Sequence, residues 1–192
     1  IRAAPLVAFD TETTSLDEMH ARIVGVSFAV TPGEAAYVPL AHDYPGAPEQ
    51  LALDAVLAQL KPWLEDAARP KLGQNVKYDS HVLANAGIEV RGYLHDTMLE
   101  SYVLEAHLTH SLEKLAERHL HRNGISYEDP CGKGASQIPF SQVDIQKAAE
   151  YSGEDSEMTL AVHQVLWPQL EHDARQRFVY ESIEIPINTI LI

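Results

Sequence analysis

Cysteine and long hydrophobic runs are nearly absent from this sequence. Cys131 is the single thiol, so no disulfide can form within the chain and no pair of thiolates can share a zinc ion. The apolar stretches, such as Ile23 to Val30, are far shorter than the roughly 20 residues of a membrane-spanning helix, and no basic-then-apolar leader is present. We therefore expect a soluble, non-secreted, cytoplasmic protein, a monomer with no membrane partner.

Basic residues are also scarce. Fourteen lysines and arginines stand against 28 aspartates and glutamates, which gives a net charge of −14. A protein that binds the phosphate backbone of a nucleic acid normally carries the opposite sign. Two divalent cations would cancel about four negative charges at the place where a phosphate approaches. The composition therefore disfavours nucleic-acid binding unless some carboxylates hold cations or another domain holds the nucleic acid.

Hydropathy patterns predict one α/β domain. With 45% hydrophobic residues over 192 positions, the chain can bury a full-sized core. Leu6 to Asp10, Ile23 to Val30 and Ala35 to Leu40 predict an antiparallel meander of three strands, because they are rich in Val, Ala and aromatic residues and are separated by turns. Helices and short strands then alternate, which predicts parallel additions to a five-stranded mixed sheet flanked by helices. The predicted pieces are a helix at Leu53 to Leu64, a strand at Lys71 to Gly73, a helix at Lys77 to Ala86, extended pieces at Ile88 to Tyr93, helices from Thr97 and Ser111, a loop at Asn123 to Phe140, and a long helix that Ser141 caps and that ends near Pro168.

Two acids stand close together in the first predicted strand. Asp10 and Glu12 are two positions apart, so their side chains point to one face of the sheet. Like charges at such a distance favour either protonation of one carboxylate or binding of a cation. A strand that runs into an Asx turn would explain the same residues without any function. The pair alone therefore leaves both interpretations open.

Two further acids stand on predicted helices. Asp79 follows Asn75 by one turn, where a capping residue and a first-turn acid are common for structural reasons alone. Tyr151 and Asp155 form an i, i+4 pair on one face of the long helix, and either could be an ordinary packing residue. Together with the strand pair they make four separated acids. Oxygen ligands of that number suit Mg²⁺ or Mn²⁺.

In their order and spacing these motifs resemble the 3′-5′ exonuclease (proofreading) domain of bacterial DNA polymerase I, the Klenow-type domain of the DEDD superfamily. The DxE, NxxxD and YxxxD motifs of that family match Asp10 and Glu12, Asn75 and Asp79, and Tyr151 and Asp155. The likeness also covers PLAHDY at 39–44, DTMLESY at 96–102 and LAER at 115–118, and so nearly the whole chain. Tyrosine rather than histidine before the last acid is typical of the DEDDy branch.

The resemblance implies a ribonuclease H-like fold and a two-metal-ion nuclease. Residues 1–172 would be the exonuclease domain, and residues 173–192 would begin a helix that leads into a polymerase domain of the same chain. Asp10, Glu12 and Asp155 would bind one divalent ion, and Asp10 with Asp79, through water, a second one about 4 Å away. The ions would be Mg²⁺ or Mn²⁺, with Zn²⁺ possible at one site. Tyr151 would orient the attacking water.

The resemblance also implies the substrate and its contacts. The substrate would be the 3′ end of single-stranded or frayed DNA, released as nucleoside 5′-monophosphates by a bacterial, nucleoid-associated enzyme. Substrate contacts would come from Thr13, Leu16, Gln74, Asn75 and Phe140. Leu16 and Phe140 would act as apolar wedges, although core packing is the ordinary role of such residues. The alternatives are a ribonuclease D-like RNA 3′ exonuclease, since the acids do not read the sugar, and a non-catalytic scaffold.

Overall fold

A five-stranded mixed sheet forms the centre of the computed structural model, which describes residue 1 and residues 3–191. The strands are β1 (Val7–Thr13), β2 (Ile23–Thr31), β3 (Glu34–Pro39), β4 (Lys71–Gly73) and β5 (Tyr93–Asp96). Their order across the sheet is β3-β2-β1-β4-β5. β1, β2 and β3 pair antiparallel, whereas β4 pairs parallel to β1 and β5 parallel to β4. The predicted meander followed by parallel strands is confirmed.

Helices cover both faces of the sheet. They are α1 (Leu53–Leu64), α2 (Val76–Asn85), α3 (Thr97–Glu105), α4 (Leu112–Leu115), α5 (Glu128–Cys131), α6 (Ile145–His172), α7 (Ala174–Val179) and α8 (Ile185–Ile190). π-helical turns at Ala116–Leu120 and Tyr180–Glu184 extend α4 and join α7 to α8. No helix in the part of the chain described here is long and apolar enough to cross a membrane.

The central strand β1 is buried on both faces, which explains its continuous apolar start. Phe9 faces α1, where its ring lies 5.2 Å from that of Phe28 and 6.0 Å from that of Trp63. Ala8 faces the other way and packs in a cluster with Leu160 of α6. Because alternate residues of β1 point to opposite helical layers, Asp10 and Glu12 face the same side as Ala8.

Three predicted boundaries differ from the structure. Asp144, not Ser141, caps α6: its carboxylate accepts a hydrogen bond from the backbone N–H of Gln146 at 3.0 Å, while Ser141 lies in a 3₁₀ turn at Phe140–Gln142. α6 continues through Pro168 to His172, because tertiary packing of Leu170, which is fully buried, stabilises the turn that follows the proline. The fifth strand begins at Tyr93 rather than near Ile88, because the chain turns at Gly92, where φ is +76°.

The segment after Asp173 is helical, as predicted. Asp173 caps α7 by accepting hydrogen bonds from the backbone N–H groups of Arg175 and Gln176. Tyr180 is fully buried, and its ring lies 5.7 Å from that of Trp167 in α6. This segment therefore packs on α6 through Tyr180. The last position of the predicted 173–192 segment lies outside the described residues.

Candidate active site

The four acids predicted from the sequence line one pocket of about 300 Å³ at the end of β1. β1 supplies Asp10 and Glu12, α2 supplies Asp79, and α6 supplies Tyr151 and Asp155. The sheet order explains this convergence, because β4 runs parallel to β1 and delivers the start of α2 to the edge where β1 ends. The remaining lining residues are Thr11, Thr13, Thr14, Ser15, Leu16, Gln74, Asn75, Tyr78 and Tyr127.

Burial raises the pKa of every one of these carboxyl groups, and the charges of neighbouring acids raise it further. For Asp10, burial raises the pKa well above its usual value, and the charges of Asp79, Glu12 and Asp155 raise it further. Burial followed by the charge of Asp155 raises the pKa of Glu12 to about 8. Burial likewise raises the pKa values of Asp79 and Asp155 to about 7. The pocket therefore holds more negative charge than its surroundings stabilise.

Asp79 is fixed in position by β1. Its Oδ1 accepts hydrogen bonds from the backbone N–H of Thr11 at 2.9 Å and from the Thr11 hydroxyl at 2.6 Å. Both groups are buried. Because Thr11 lies between Asp10 and Glu12, these bonds tie the helix that carries Asp79 directly to the strand that carries the other two acids.

The donor chemistry of the pocket fits divalent cations. Among the ion pairs formed by residue 1 and residues 3–191, none involves Asp10, Glu12, Asp79 or Asp155. Two buried carboxylates, Glu12 and Asp79, and two half-buried ones, Asp10 and Asp155, have no basic partner and form an all-oxygen ligand set of the kind that Mg²⁺ and Mn²⁺ prefer. Within the described chain no three of them bring oxygens within 4.8 Å of one another. Such a spread is wider than one coordination shell, so these side chains would have to move closer together before three of them share one ion.

Tyr151 keeps its proton at neutral pH. Burial, followed by the charges of Asp155, Glu12 and Asp10, raises the pKa of its hydroxyl well above the usual value. The interaction of this hydroxyl with the Asp155 carboxylate lowers the pKa of that acid and so partly offsets the effect of burial. A protonated phenol can orient a ligand by hydrogen bonding, and it cannot serve as a strong base at neutral pH.

Four of the five predicted substrate-contact residues line the pocket: Thr13, Leu16, Gln74 and Asn75. Leu16 is 91% exposed at its rim, as a wedge against a nucleotide would be. Phe140 is only 1% exposed and does not line the pocket. Its ring packs 5.9 Å from that of Tyr151 and 6.4 Å from that of Tyr127. This burial does not fit the predicted stacking on a base, and Phe140 instead supports the two tyrosines behind the pocket wall.

The expected cap of α2 by the Asn75 side chain is wrong. Asn75 occupies the N-cap position with a left-handed φ of 61°, and its side chain makes no cap hydrogen bond. Asp96 provides the cap, since its two carboxylate oxygens accept from the backbone N–H groups of Asn75 and Val76, each at 3.0 Å. The same carboxylate accepts from the N–H of Met98 at 2.9 Å and so also caps α3. The left-handed backbone leaves the Asn75 side chain at the pocket.

Sequence reasoning missed two tyrosines of the pocket, Tyr78 and Tyr127. The Tyr78 hydroxyl hydrogen-bonds to the Thr13 hydroxyl and to the backbone carbonyl of Ser15, and so it holds the segment after β1 against α2. Tyr127 belongs to the predicted 123–140 loop, which here contains α5 and a 3₁₀ turn. The length of that loop was the available signal, because long ordered loops are usually functional.

Comparisons with known proteins agree with the family that the sequence resembles. A family model described as 3′-5′ exonuclease matches residues 1–171. DNA polymerase I of Pseudomonas aeruginosa is 52% identical over 194 residues, which cover 100% of this chain and 21% of that protein. DNA polymerase I of Rhizobium leguminosarum is 42% identical over 208 residues, covering 99% and 20%. The chain thus spans about a fifth of the length of these relatives.

Solved structures show the same fold. Brucella melitensis NrnC with bound Mg²⁺ superposes with a TM-score of 0.69 and 22% sequence identity, over 98% of this chain and 85% of that one. The predicted ribonuclease H-like architecture, a mixed five-stranded sheet between helices, is confirmed.

Proposed function

The chain belongs to the 3′-5′ exonuclease domain family of DNA polymerase I, and from this premise we propose that it proofreads DNA by hydrolysing the terminal phosphodiester of a single-stranded or frayed 3′ end. The products are nucleoside 5′-monophosphates. The observation that carries the proposal is the meeting of Asp10, Glu12, Asp79 and Asp155 beside Tyr151 in one pocket, without a basic partner among the described residues.

The carboxylates are the ligands for two divalent ions in this proposal. Asp10, Glu12 and Asp155 hold one ion, and Asp10 with Asp79 holds the other, Mg²⁺ or Mn²⁺ in each case with Zn²⁺ possible at one site. When bound, such ions lower the pKa of a water molecule and stabilise negative charge on phosphate oxygens. The raised pKa values of the four acids support the assignment, since a bound cation offsets both the burial and the repulsion that raise them.

Tyr151 positions the attacking water. Its hydroxyl faces the Asp155 carboxylate in the same pocket, and it remains protonated because burial raises its pKa. A water molecule held between this hydroxyl and the carboxylates would be aligned for in-line attack on the phosphorus. The proton of the water passes to solvent or a carboxylate rather than to the phenol.

The rim of the pocket holds the substrate strand. Leu16 projects into solvent beside the acids and can separate the terminal nucleotide from its neighbour, while Thr13, Gln74 and Asn75 offer polar groups to the sugar and phosphate. Contacts of this kind are indifferent to base identity, as an editing enzyme requires. Because the net charge is −14, this domain is poorly suited to hold the phosphate backbone of a duplex. In this proposal a polymerase domain of the same longer chain binds the duplex, and this domain binds only the 3′ end.

Digestion of a 5′-labelled single-stranded oligonucleotide tests the proposal. Stepwise shortening from the 3′ end should require Mg²⁺ or Mn²⁺ and release nucleoside monophosphates. Asp155→Asn should slow the cleavage by about 10³-fold, or about 4 kcal/mol of transition-state stabilisation, while Glu49→Gln, at an exposed acid of similar chemistry, leaves it unchanged. Cleavage that persists in excess chelator, or that is equal in both variants, contradicts the proposed site.

An RNA strand of the same sequence serves as the competing substrate. Faster trimming of RNA would indicate a ribonuclease D-like activity, because the acids alone do not distinguish the sugars. A chain that cuts neither strand with any divalent cation would be the non-catalytic scaffold.

A further inference from the structure

A second polar cluster lies outside the acidic pocket, where β5, α3 and α6 meet. It consists of His95 in β5, Glu100 in α3 and His163 in α6. Their potential ligand atoms all lie within 4.8 Å of one another. Within the described residues this is the one group of three or more His, Cys, Asp or Glu side chains that meets this distance. The proposed nuclease chemistry does not use it.

The carboxylate of Glu100 is the centre of this cluster. Its Oε1 lies 2.8 Å from Nδ1 of His163 and 3.3 Å from Nδ1 of His95. Glu100 is completely buried, yet its Oε2 has no hydrogen-bond partner in the described structure, and neither does Nδ1 of His95. A buried carboxylate oxygen without a donor is strongly destabilising, and native proteins seldom leave such atoms unsatisfied. The cluster therefore lacks a partner that carries positive charge.

Aromatic rings enclose the cluster on the side of α6. The His95 ring lies 4.3 Å from that of His163 and 4.4 Å from that of Trp167. Tyr180 packs behind Trp167. These rings exclude water and so strengthen the interaction between the carboxylate and any cation. The His95 side chain retains 14% exposure, which leaves a route for an ion from solvent to Glu100.

We propose that His95, Glu100 and His163 bind a borderline divalent transition-metal ion, for which Zn²⁺ is the natural probe. Two imidazoles and one carboxylate are a common zinc ligand set, whereas Mg²⁺ prefers oxygen ligands alone. Zinc bonds of about 2.0–2.1 Å place tetrahedral ligand atoms roughly 3.3 Å apart. The two distances from Glu100 Oε1, 2.8 and 3.3 Å, are close to that separation.

The position of the cluster gives the ion a structural role. It links three elements that frame the acidic pocket: α6 also carries Asp155, and β5 continues from His95 into Asp96, which caps the helix of Asp79. The cluster residues do not line the pocket themselves. The ion should therefore stabilise the fold and should leave the identity of the substrate unaffected.

Isothermal titration of the metal-stripped chain with Zn²⁺, in millimolar Mg²⁺, tests the site. Mg²⁺ competes with Zn²⁺ for the all-oxygen pocket, and the Zn²⁺ binding that His95→Gln removes reports on the histidine ligands. We expect the wild-type chain to bind one equivalent of Zn²⁺ more than His95→Gln does at the same Zn²⁺ concentration, and to melt at a higher temperature with Zn²⁺ than without it. His95→Gln should weaken the Zn²⁺ affinity by more than about 100-fold, because loss of an outer-shell partner alone costs 10–100-fold. His95 is the partly exposed member, which makes this variant the one that retains the fold.

Two matched variants make the result decisive. His172→Gln removes an exposed histidine of the same helix as His163 and should keep full Zn²⁺ binding. Asp155→Asn alters the acidic pocket and should also keep it. Absence of Zn²⁺ binding in Mg²⁺, equal binding by His95→Gln, or loss of binding in Asp155→Asn would overturn the proposal. None of these readouts depends on DNA cleavage, so a failed nuclease assignment does not affect the result.

Discussion

The substitution Glu12→Gln should stabilise the cation-free chain increasingly as the pH rises. Glu12 is 7% exposed, and burial with the neighbouring Asp155 charge raises its pKa from 4.5 to about 8. A raised carboxyl pKa means that the folded state binds a proton more tightly than the unfolded state. The stability from this group is therefore fully present below pH 4.5 and is lost as the pH rises through about 8. Glutamine has nearly the same shape and does not titrate, so the stability of the variant does not fall with pH at this position.

The magnitude follows from proton linkage. When the folded state holds one proton that the unfolded state does not, the free energy of unfolding falls by about 1.36 kcal/mol for each unit of rising pH. For Glu12 this loss amounts to about 3 kcal/mol between pH 4.5 and pH 7. Urea denaturation in excess chelator at several pH values between 5 and 7.5 measures it. The slope of unfolding free energy against pH should be less negative for Glu12→Gln than for the wild type, by about 1.4 kcal/mol per pH unit.

Two comparisons can refute this reasoning. Glu49→Gln changes an exposed glutamate and should retain the wild-type slope. Saturating Mg²⁺ should raise wild-type stability at pH 7.5 by more than it raises that of the Glu12→Gln variant, because the variant has lost one anionic ligand. If the two glutamine variants have equal slopes in chelator, Glu12 does not take up a proton on folding, and the account of the pocket as repulsive without cations fails.

Two further substitutions test contacts outside the metal ligands. Thr11→Val removes the 2.6 Å hydroxyl bond to Asp79 but keeps the backbone bond; we expect about 10-fold lower kcat/KM on single-stranded DNA, with less than about 1.5 kcal/mol of lost stability by urea denaturation. Lys71→Met should lower the free energy of unfolding by about 3 kcal/mol in urea denaturation, because it removes three hydrogen bonds at roughly 1 kcal/mol each. The activity per folded molecule should stay unchanged. The buried lysine Nζ donates to the backbone carbonyls of Asp66, Arg69 and Arg91.

Features with a local period were predictable from the sequence. Alternation along β1 places Asp10 and Glu12 on one face, and the i, i+4 spacing places Tyr151 above Asp155; the structure brings both pairs to the same pocket. These relations depend only on backbone geometry, which is fixed within one strand or one helix. The antiparallel meander followed by parallel strands was predicted from the same patterns, because successive strands and then alternating helices and strands allow few arrangements.

Features that depend on distant residues were not predictable in this way. Asn75 has the residue type and position of a helix cap, but the capping carboxylate comes from Asp96, 21 positions later. Ser141 and Asp144 are both good capping types, and only the turn after Pro139 selects the second. Phe140 likewise lacks the exposure expected of a substrate contact, since the loop folds it inward against Tyr151. In each case tertiary contacts decide between locally equivalent choices.

The parallel part of the sheet explains why charge accumulates at this edge. β1, β4 and β5 all run in one direction, so Asp10 and Glu12, the start of α2 with Asp79, and Asp96 arrive at the same end. Burial raises the pKa of all these acids, but four backbone N–H groups partly offset this for Asp96. No described basic residue pairs with Asp10, Glu12, Asp79 or Asp155. Conformational stability alone would favour replacing such acids with neutral residues. Their repulsion is consistent with selection for a bound state, in which divalent cations and a phosphate supply the missing partners.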